Sequence, residues 1–263
     1  VDPAEILLDR GFDCQKHGNI QVDAAVIAFG FMHPVNFVSR YQMDARKLEA
    51  WLQSIAEQYT STSYHNWMHG FDVFQLCFLI LTEGQLSLFF NYQDACSVLI
   101  AAIAHDVGHQ GTNNAFHVKT RTQLARMYND RSPLENYHAS VVFETLRKPG
   151  KNFLEQLPNE DYDNVRGKIV DAILETDPSQ HFDFVAKLST KAPHIVQYAE
   201  VDTEEALAAN VADRRLLLKG VVHMADIGNA FRPWDVYKKL VCCLEEEFFI
   251  QGDKERELQI PIT

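Results

Sequence analysis

Two histidines, His65 and His69, stand four residues apart in Tyr64-His65-Asn66-Trp67-Met68-His69. On a helix, that spacing puts both imidazoles on one face about 6 Å apart, close enough to serve one site. No glutamate follows the first histidine, so the HExxH pattern of zinc proteases is not met. Further along, His105 and Asp106 are adjacent at the end of an apolar helical stretch, followed by Gly108 and His109. An ionised aspartate in such surroundings needs a partner, because desolvating it alone costs several kcal/mol. A divalent cation would compensate it, and mixed imidazole and carboxylate ligation suits zinc, manganese or iron. A helix-end cap beside a hydrogen-bonded histidine is the plainer reading of the same pair. Asp226 likewise follows an apolar helix, LLLKGVVHMA, and taken alone reads as a cap for the next segment. Taken together, the histidine pair, the His-Asp pair and the distant aspartate make a candidate ligand set for a divalent cation.

The elements that must position these residues are helical. Behind a capping Asp44, the residues Leu48, Trp51, Leu52, Ile55 and Tyr59 recur with the helical period. DACSVLIAAIAHD is expected to start on a capping Asp94 and to turn Val98, Leu99, Ala102 and Ile103 inward. Residues 164–176 and 213–224 have the same pattern, and VFQLCFLILTEG continues a helix to a stop at Gly84. No strand alternation bounded by hairpin turns is present, and turn residues fall at Gly84, 131–133, 148–152 and Pro158. The expectation is an all-α, compact multi-helix single domain spanning 1–263.

Composition narrows the function. Hydrophobic residues make up 46% of the 263, enough for an ordered core, and the net charge is −12. Such a surface repels nucleic acid and anionic membranes, so a phosphate substrate would have to be drawn by a local cation. No stretch is apolar enough for a membrane span. The five cysteines lack a CxxC spacing; Cys77, Cys96, Cys242 and Cys243 lie in apolar helical contexts and read as reduced core residues. A reducing, cytoplasmic compartment is therefore expected. A start at Val1 reads as a piece excised from a longer protein.

Six ordered motifs resemble those of the class I cyclic nucleotide phosphodiesterases, within the HD superfamily of metallohydrolases. They are YHNWMHGFDV, HDVGHQGTNN, LENYH, LETDPSQH, HMADIGN and EEFFIQGDKERE, covering the chain from about residue 40 onward. The resemblance implies hydrolysis of cyclic AMP, and of cyclic GMP as an open possibility, to 5′-monophosphates, ending a second-messenger signal. It implies that His69, His105, Asp106 and Asp226 bind zinc. Asp106 would bridge to a second ion, magnesium or manganese, across the ~3.5–4 Å of a two-metal site. His65 would be the general acid, with His109, Glu135 and Asp177 in the outer shell. Tyr64, Asn229, Tyr237, Leu240, Val241, Leu244 and Phe248 would meet the substrate, although the last five read equally as core packing. His138 and His181 are expected to be structural, and Arg232 to be solvent-exposed. Regulatory domains are expected in the same chain.

Two residues depart from the family pattern: Gly108 stands where many members have aspartate, and Tyr137 where they have histidine. The family's purine-binding glutamine and stacking phenylalanine would lie beyond Thr263, so the domain is expected to be truncated on that side. Other readings are a broader HD-domain nucleotide phosphohydrolase and a domain that binds cyclic nucleotide without turnover. A general acid at His65 speaks against the latter, because binding alone needs none.

Overall fold

The computed structural model describes residues 2–16, 20–31, 37–84, 89–198 and 211–263, and among these every regular element is a helix. The helices that build the site are α4 (Ala45–Gln58), α5 (Trp67–Glu83), α6 (Tyr92–Ala104), α7 (Asn114–Lys119) and α9 (Pro133–Leu146). They are joined by α10 (Asn159–Leu174), α11 (His181–Tyr198), α12 (Val211–Asp226) and α13 (Trp234–Glu257). Three short helices, α1 (Pro3–Leu8), α2 (Gln21–Phe31) and α3 (Phe37–Arg40), precede them, and α8 (Gln123–Met127) lies between α7 and α9.

The fold is organised around α6. All of its residues from Asp94 to Ala104 are buried, and α5, α10 and α12 pack against it. Such a helix shows no polar face because it has neighbours on every side. Asp94 is not its N-cap, as the sequence implied. The helix begins a turn earlier, on Asn91, and Asp94 closes a capping box with it: each side chain accepts the other's backbone N–H, at 2.9 and 3.0 Å. The same Asp94 carboxylate pairs at 2.6 Å with the buried Lys168 of α10, which locks α10 to α6.

Asp44 does cap α4, and Leu48, Trp51, Leu52 and Ile55 are fully buried along one face of that helix. The apolar run to Gly84 is a buried helix, capped at its start by Asn66, whose Oδ1 accepts from the Met68 and His69 backbone N–H groups. The cysteines are free, and Cys14, Cys77 and Cys96 are buried, whereas Cys242 is exposed. Unlike α6, α13 has a solvent face, on which Cys242 lies, while Cys243 beside it is half-buried. Among the described residues no helix is long and apolar enough to cross a membrane.

Candidate active site

Helix termini bring the chemistry together. His69 lies in the first turn of α5, His105 and Asp106 just past the end of α6, and Asp226 ends α12. At helix C-termini the unpaired carbonyls carry partial negative charge, so the ends of α6 and α12 favour a cation between them.

His69 Nε2 lies 3.1 Å from Asp226 Oδ1 and 3.3 Å from Asp106 Oδ2. His105 Nε2 lies 3.1 Å from Asp106 Oδ2, 3.2 Å from Asp226 Oδ1 and 3.3 Å from His69 Nε2. Ligand bonds of about 2.0–2.1 Å would put neighbouring donors roughly 2.9–3.4 Å apart, so these four side chains are spaced as ligands of one ion. The tautomer agrees: His105 Nδ1 donates to the Ala102 carbonyl at 2.9 Å, which leaves the Nε2 lone pair aimed at the centre.

Electrostatics point the same way. Burial opposes charge on His69, but hydrogen bonds to Asp106 and Asp226 prevail and raise it to about 9. His105 is raised in the same manner against its burial. Both carboxyls, despite their burial, are held well below the ordinary range by the His105 and His69 rings. Two carboxylates thus demand positive charge between them, and protons on the histidines supply it. A divalent cation is the natural replacement for those protons.

His65 stands apart from this cluster, on a wall built by α13. Its Nδ1 is bonded to Glu247 Oε1, while Glu247 Oε2 accepts from the Tyr64 and His65 backbone N–H groups at 3.0 and 3.2 Å. Burial opposes the Glu247 charge, yet its bond to His65 outweighs this and lowers it to about 2. The resulting carboxylate fixes the imidazole and leaves its Nε2 for chemistry. His65 stacks at 4.1 Å on His109, whose Nδ1 accepts the Gly111 N–H at 3.0 Å. Burial and the charge of His65 push His109 down to about 3, so it is a neutral ring. Burial pushes His138 down to about 4, and its Nδ1 donates to the Val107 carbonyl at 2.8 Å.

A cavity of about 550 Å³ joins these parts. Tyr64, His65, Asp106, His109, Glu135, Asp177, Asp226, Asn229, Leu244 and Phe248 all line it. Asn114 holds Glu135, its Nδ2 lying 3.1 and 2.9 Å from the two carboxylate oxygens. Burial, with a smaller push from Asp177, raises Glu135 to about 7. Asp177 is fixed by the Ser132 hydroxyl at 2.6 Å and the Ser179 N–H at 2.9 Å. Tyr64, buried, and Asn229 share the cavity wall with Asp226.

Three of the expected substrate residues are elsewhere. Tyr237, Leu240 and Val241 are not on the cavity wall, and Leu240 is buried in the core. They lie one or two turns ahead of Leu244 along α13, and only the later turns face the cavity. What the apolar stripe obscured is a polar one on the same helix: Glu247, Gln251 and Glu255, each four residues apart, are all buried. That spacing, in a segment otherwise rich in exposed charge, is the signal that marks Glu247. His181, expected to be structural, donates from Nδ1 to His223 Nε2 at 2.8 Å, and His223 donates to the Glu175 carbonyl. Arg232 is buried rather than exposed, in a pair with Asp72.

Gly108 and Tyr137 meet each other. Gly108 has φ +79°, and a Cβ there would fall 2.8 Å from Tyr137 Cε1. The two departures from the family pattern are therefore one local arrangement: the tyrosine ring takes the space that a side chain at 108 would use.

Helical architecture, four donors spaced as metal ligands and a histidine-carboxylate wall across one cavity form the kind of centre that metal-assisted hydrolysis requires. Residues 64–263 match the family model described as 3'5'-cyclic nucleotide phosphodiesterase, and the chain belongs to that family. It is 31% identical over 231 residues (88% of this chain, 41% of the relative) to the mouse high affinity cGMP-specific 3',5'-cyclic phosphodiesterase 9A. It is 37% identical over 201 residues (76% of this chain, 30% of the relative) to a Drosophila melanogaster 3',5'-cyclic-AMP phosphodiesterase, isoform F. Among solved structures, the phosphodiesterase domain of the RhoPDE fusion protein from the choanoflagellate Salpingoeca rosetta superposes with a TM-score of 0.87 at 30% identity. That match covers 100% of this chain and 81% of the other. The chain spans about two fifths of the length of the mouse relative.

Proposed function

We propose that this domain hydrolyses 3′,5′-cyclic nucleotides to nucleoside 5′-monophosphates. The observation that carries the reading is the pairing of two groups across one cavity: a centre of four donors spaced as metal ligands, and His65 tethered to a carboxylate.

His69, His105, Asp106 and Asp226 would hold the tighter ion, expected to be zinc. Asp106 Oδ2 faces the two histidines, while Oδ1 turns towards His138 Nε2 at 3.8 Å, so the carboxylate has a second oxygen for a second ion. Magnesium or manganese is expected there, with His109, Glu135 and Asp177 set around its waters. Divalent ions bound in this way acidify water and neutralise phosphate charge. The residues of the chain do the rest. Asp226 and Asp106 hold protons on His69 and His105 until a cation displaces them. His65, with Glu247 on Nδ1, holds a proton on Nε2 and delivers it to the 3′ oxygen as the P–O3′ bond breaks. A water oxygen forms the new bond to phosphorus, and its released proton restores His65. Tyr64, Asn229, Leu244 and Phe248 form the wall left for ribose and base.

The test is hydrolysis of cyclic AMP and cyclic GMP, side by side, before and after chelation and with Zn²⁺ plus Mg²⁺ or Mn²⁺ restored. Chelator-sensitive release of 5′-monophosphate from either substrate is expected. Absence of hydrolysis with full metal loading would refute the reading, and release of triphosphate from a deoxynucleoside triphosphate would replace it with the broader phosphohydrolase activity.

A further inference from the structure

The stretch from Asp226 to α13 bears two residues of the proposed site, Asp226 and Asn229, and is only a short turn. Its anchorage is unusual for a surface turn. Arg232 closes it, donating its backbone N–H to the Asn229 carbonyl at 3.1 Å. Gly228 lies so near α5 that a Cβ there would fall 2.4 Å from Leu76 Cδ2. The Arg232 guanidinium is buried, with Nη2 at 3.0 Å from Asp72 Oδ1, 3.1 Å from the Asp72 carbonyl and 2.8 Å from Gln75 Oε1. Asp72, Gln75 and Leu76 follow His69 on one face of α5, at the three- and four-residue spacing of a helix. One face of α5 thus presents a proposed metal ligand, and then the anchor of the turn that presents another.

The network continues to the start of the chain. Gln75 Nε2 donates to the carbonyls of Ile6, Leu7 and Asp9 at 3.2, 3.1 and 2.9 Å. These lie at the end of α1, where a helix leaves carbonyls without partners. The buried Phe12 ring faces the Arg232 guanidinium at 5.7 Å, within cation–π range. Asp13 accepts from Lys239 of α13 at 3.1 Å. Residues 6–13 are therefore packed around Arg232 and tied to the helix that carries Glu247. A charged pair buried this deeply is costly unless its geometry is good, and Asp72 has no part in the proposed chemistry.

We propose that Arg232 is a positioning residue, hanging the 226–232 turn on α5, and that Gln75 extends this hold to residues 6–13, so that the docking of the N-terminal segment is felt at Asp226 and Asn229. This rests on the reading of Asp226 as a metal ligand and Asn229 as a substrate contact.

Hydrogen exchange and metal binding test it without reference to turnover. Arg232→Met should raise amide exchange across 226–232, and Arg232→Lys, which keeps the charge but loses the planar fork, should do so less. Gln75→Met should raise exchange at both 6–10 and 226–232. An increase confined to 6–10 in that variant would overturn the coupling. Co²⁺ titration of the chelated Arg232→Lys protein should show affinity lowered about 10- to 100-fold, the range for residues that orient ligands. KM for cyclic nucleotide should rise while the melting temperature changes little. A role in stability alone would lower melting and active fraction but leave Co²⁺ affinity and KM as in the parent. Unchanged exchange at 226–232 in both Arg232 variants, beside a parent that hydrolyses cyclic nucleotide, would sink the positioning role alone. A parent without hydrolysis would sink the proposed function and leave the exchange result to decide the anchorage. Should Arg232→Met fail to fold, the lysine variant decides.

Discussion

Replacing Glu247 with glutamine changes one atom and removes one charge from the His65 wall. In the parent, one carboxylate accepts from His65 Nδ1 and from two backbone N–H groups, and its pKa falls from the ordinary 4.5 to about 2. A difference of that size corresponds to roughly 3 kcal/mol favouring the ionised form, as an upper bound on what the amide forfeits. The sign is set by a folded pKa below the unfolded one. The contribution is complete above about 4.5 and is lost as pH falls towards about 2. The stability gap between parent and Glu247→Gln should therefore be widest near neutral pH and close only as pH falls to about 2. In kinetics, a neutral partner weakens a charge-assisted bond about twofold in strength and holds the ring less firmly, so kcat should fall about 10- to 100-fold. His65→Ala should cost about 10²–10⁴-fold, and the double variant no more than His65→Ala alone, because Glu247 acts only through His65. The assay is steady-state hydrolysis of cyclic AMP and cyclic GMP with metal content measured in each variant. Additive losses in the double variant, or a Glu247→Gln enzyme within twofold of the parent, would refute the assignment.

Metal binding should release protons at neutral pH, because His69 is raised to about 9 in the metal-free centre, and affinity should weaken as pH falls below that value; a pH-stat titration with Zn²⁺ reads both. Asp226→Asn should abolish tight binding of one metal equivalent, measured by elemental analysis after gel filtration. Gly108→Asp should destabilise by about 1–3 kcal/mol in denaturant titrations through collision with the Tyr137 ring, and Tyr137→His should recover part of that loss. Glu135 is raised to about 7 by burial, so its ionisation opposes folding as pH rises from 4.5 through about 7. In chelated protein, Glu135→Gln should therefore gain thermal stability over the parent above neutral pH and match it below about 4.5.

The residues of the candidate site were legible in the linear sequence because they sit where helices start and stop. His65 and His69 precede an apolar run, His105 and Asp106 end one, and Asp226 ends another. An apolar helix has few reasons to end on an unpaired histidine or aspartate, so those residues stand out before any coordinates. The helical period also marked α4 and the buried α5. Tertiary structure decided what periodicity is blind to. Glu247 reaches His65 across 182 residues of sequence, and no local pattern encodes that approach. Along α13 the turn facing the cavity depends on where the helix crosses the bundle, which separates Leu244 and Phe248 from Tyr237, Leu240 and Val241. Arg232 has an exposed look in sequence because its counterion lies 160 residues away on α5. Local periodicity records which faces a helix buries, whereas partners of buried charges are chosen by packing, and only the folded chain brings Asp72, Gln75 and residues 6–13 to the same guanidinium.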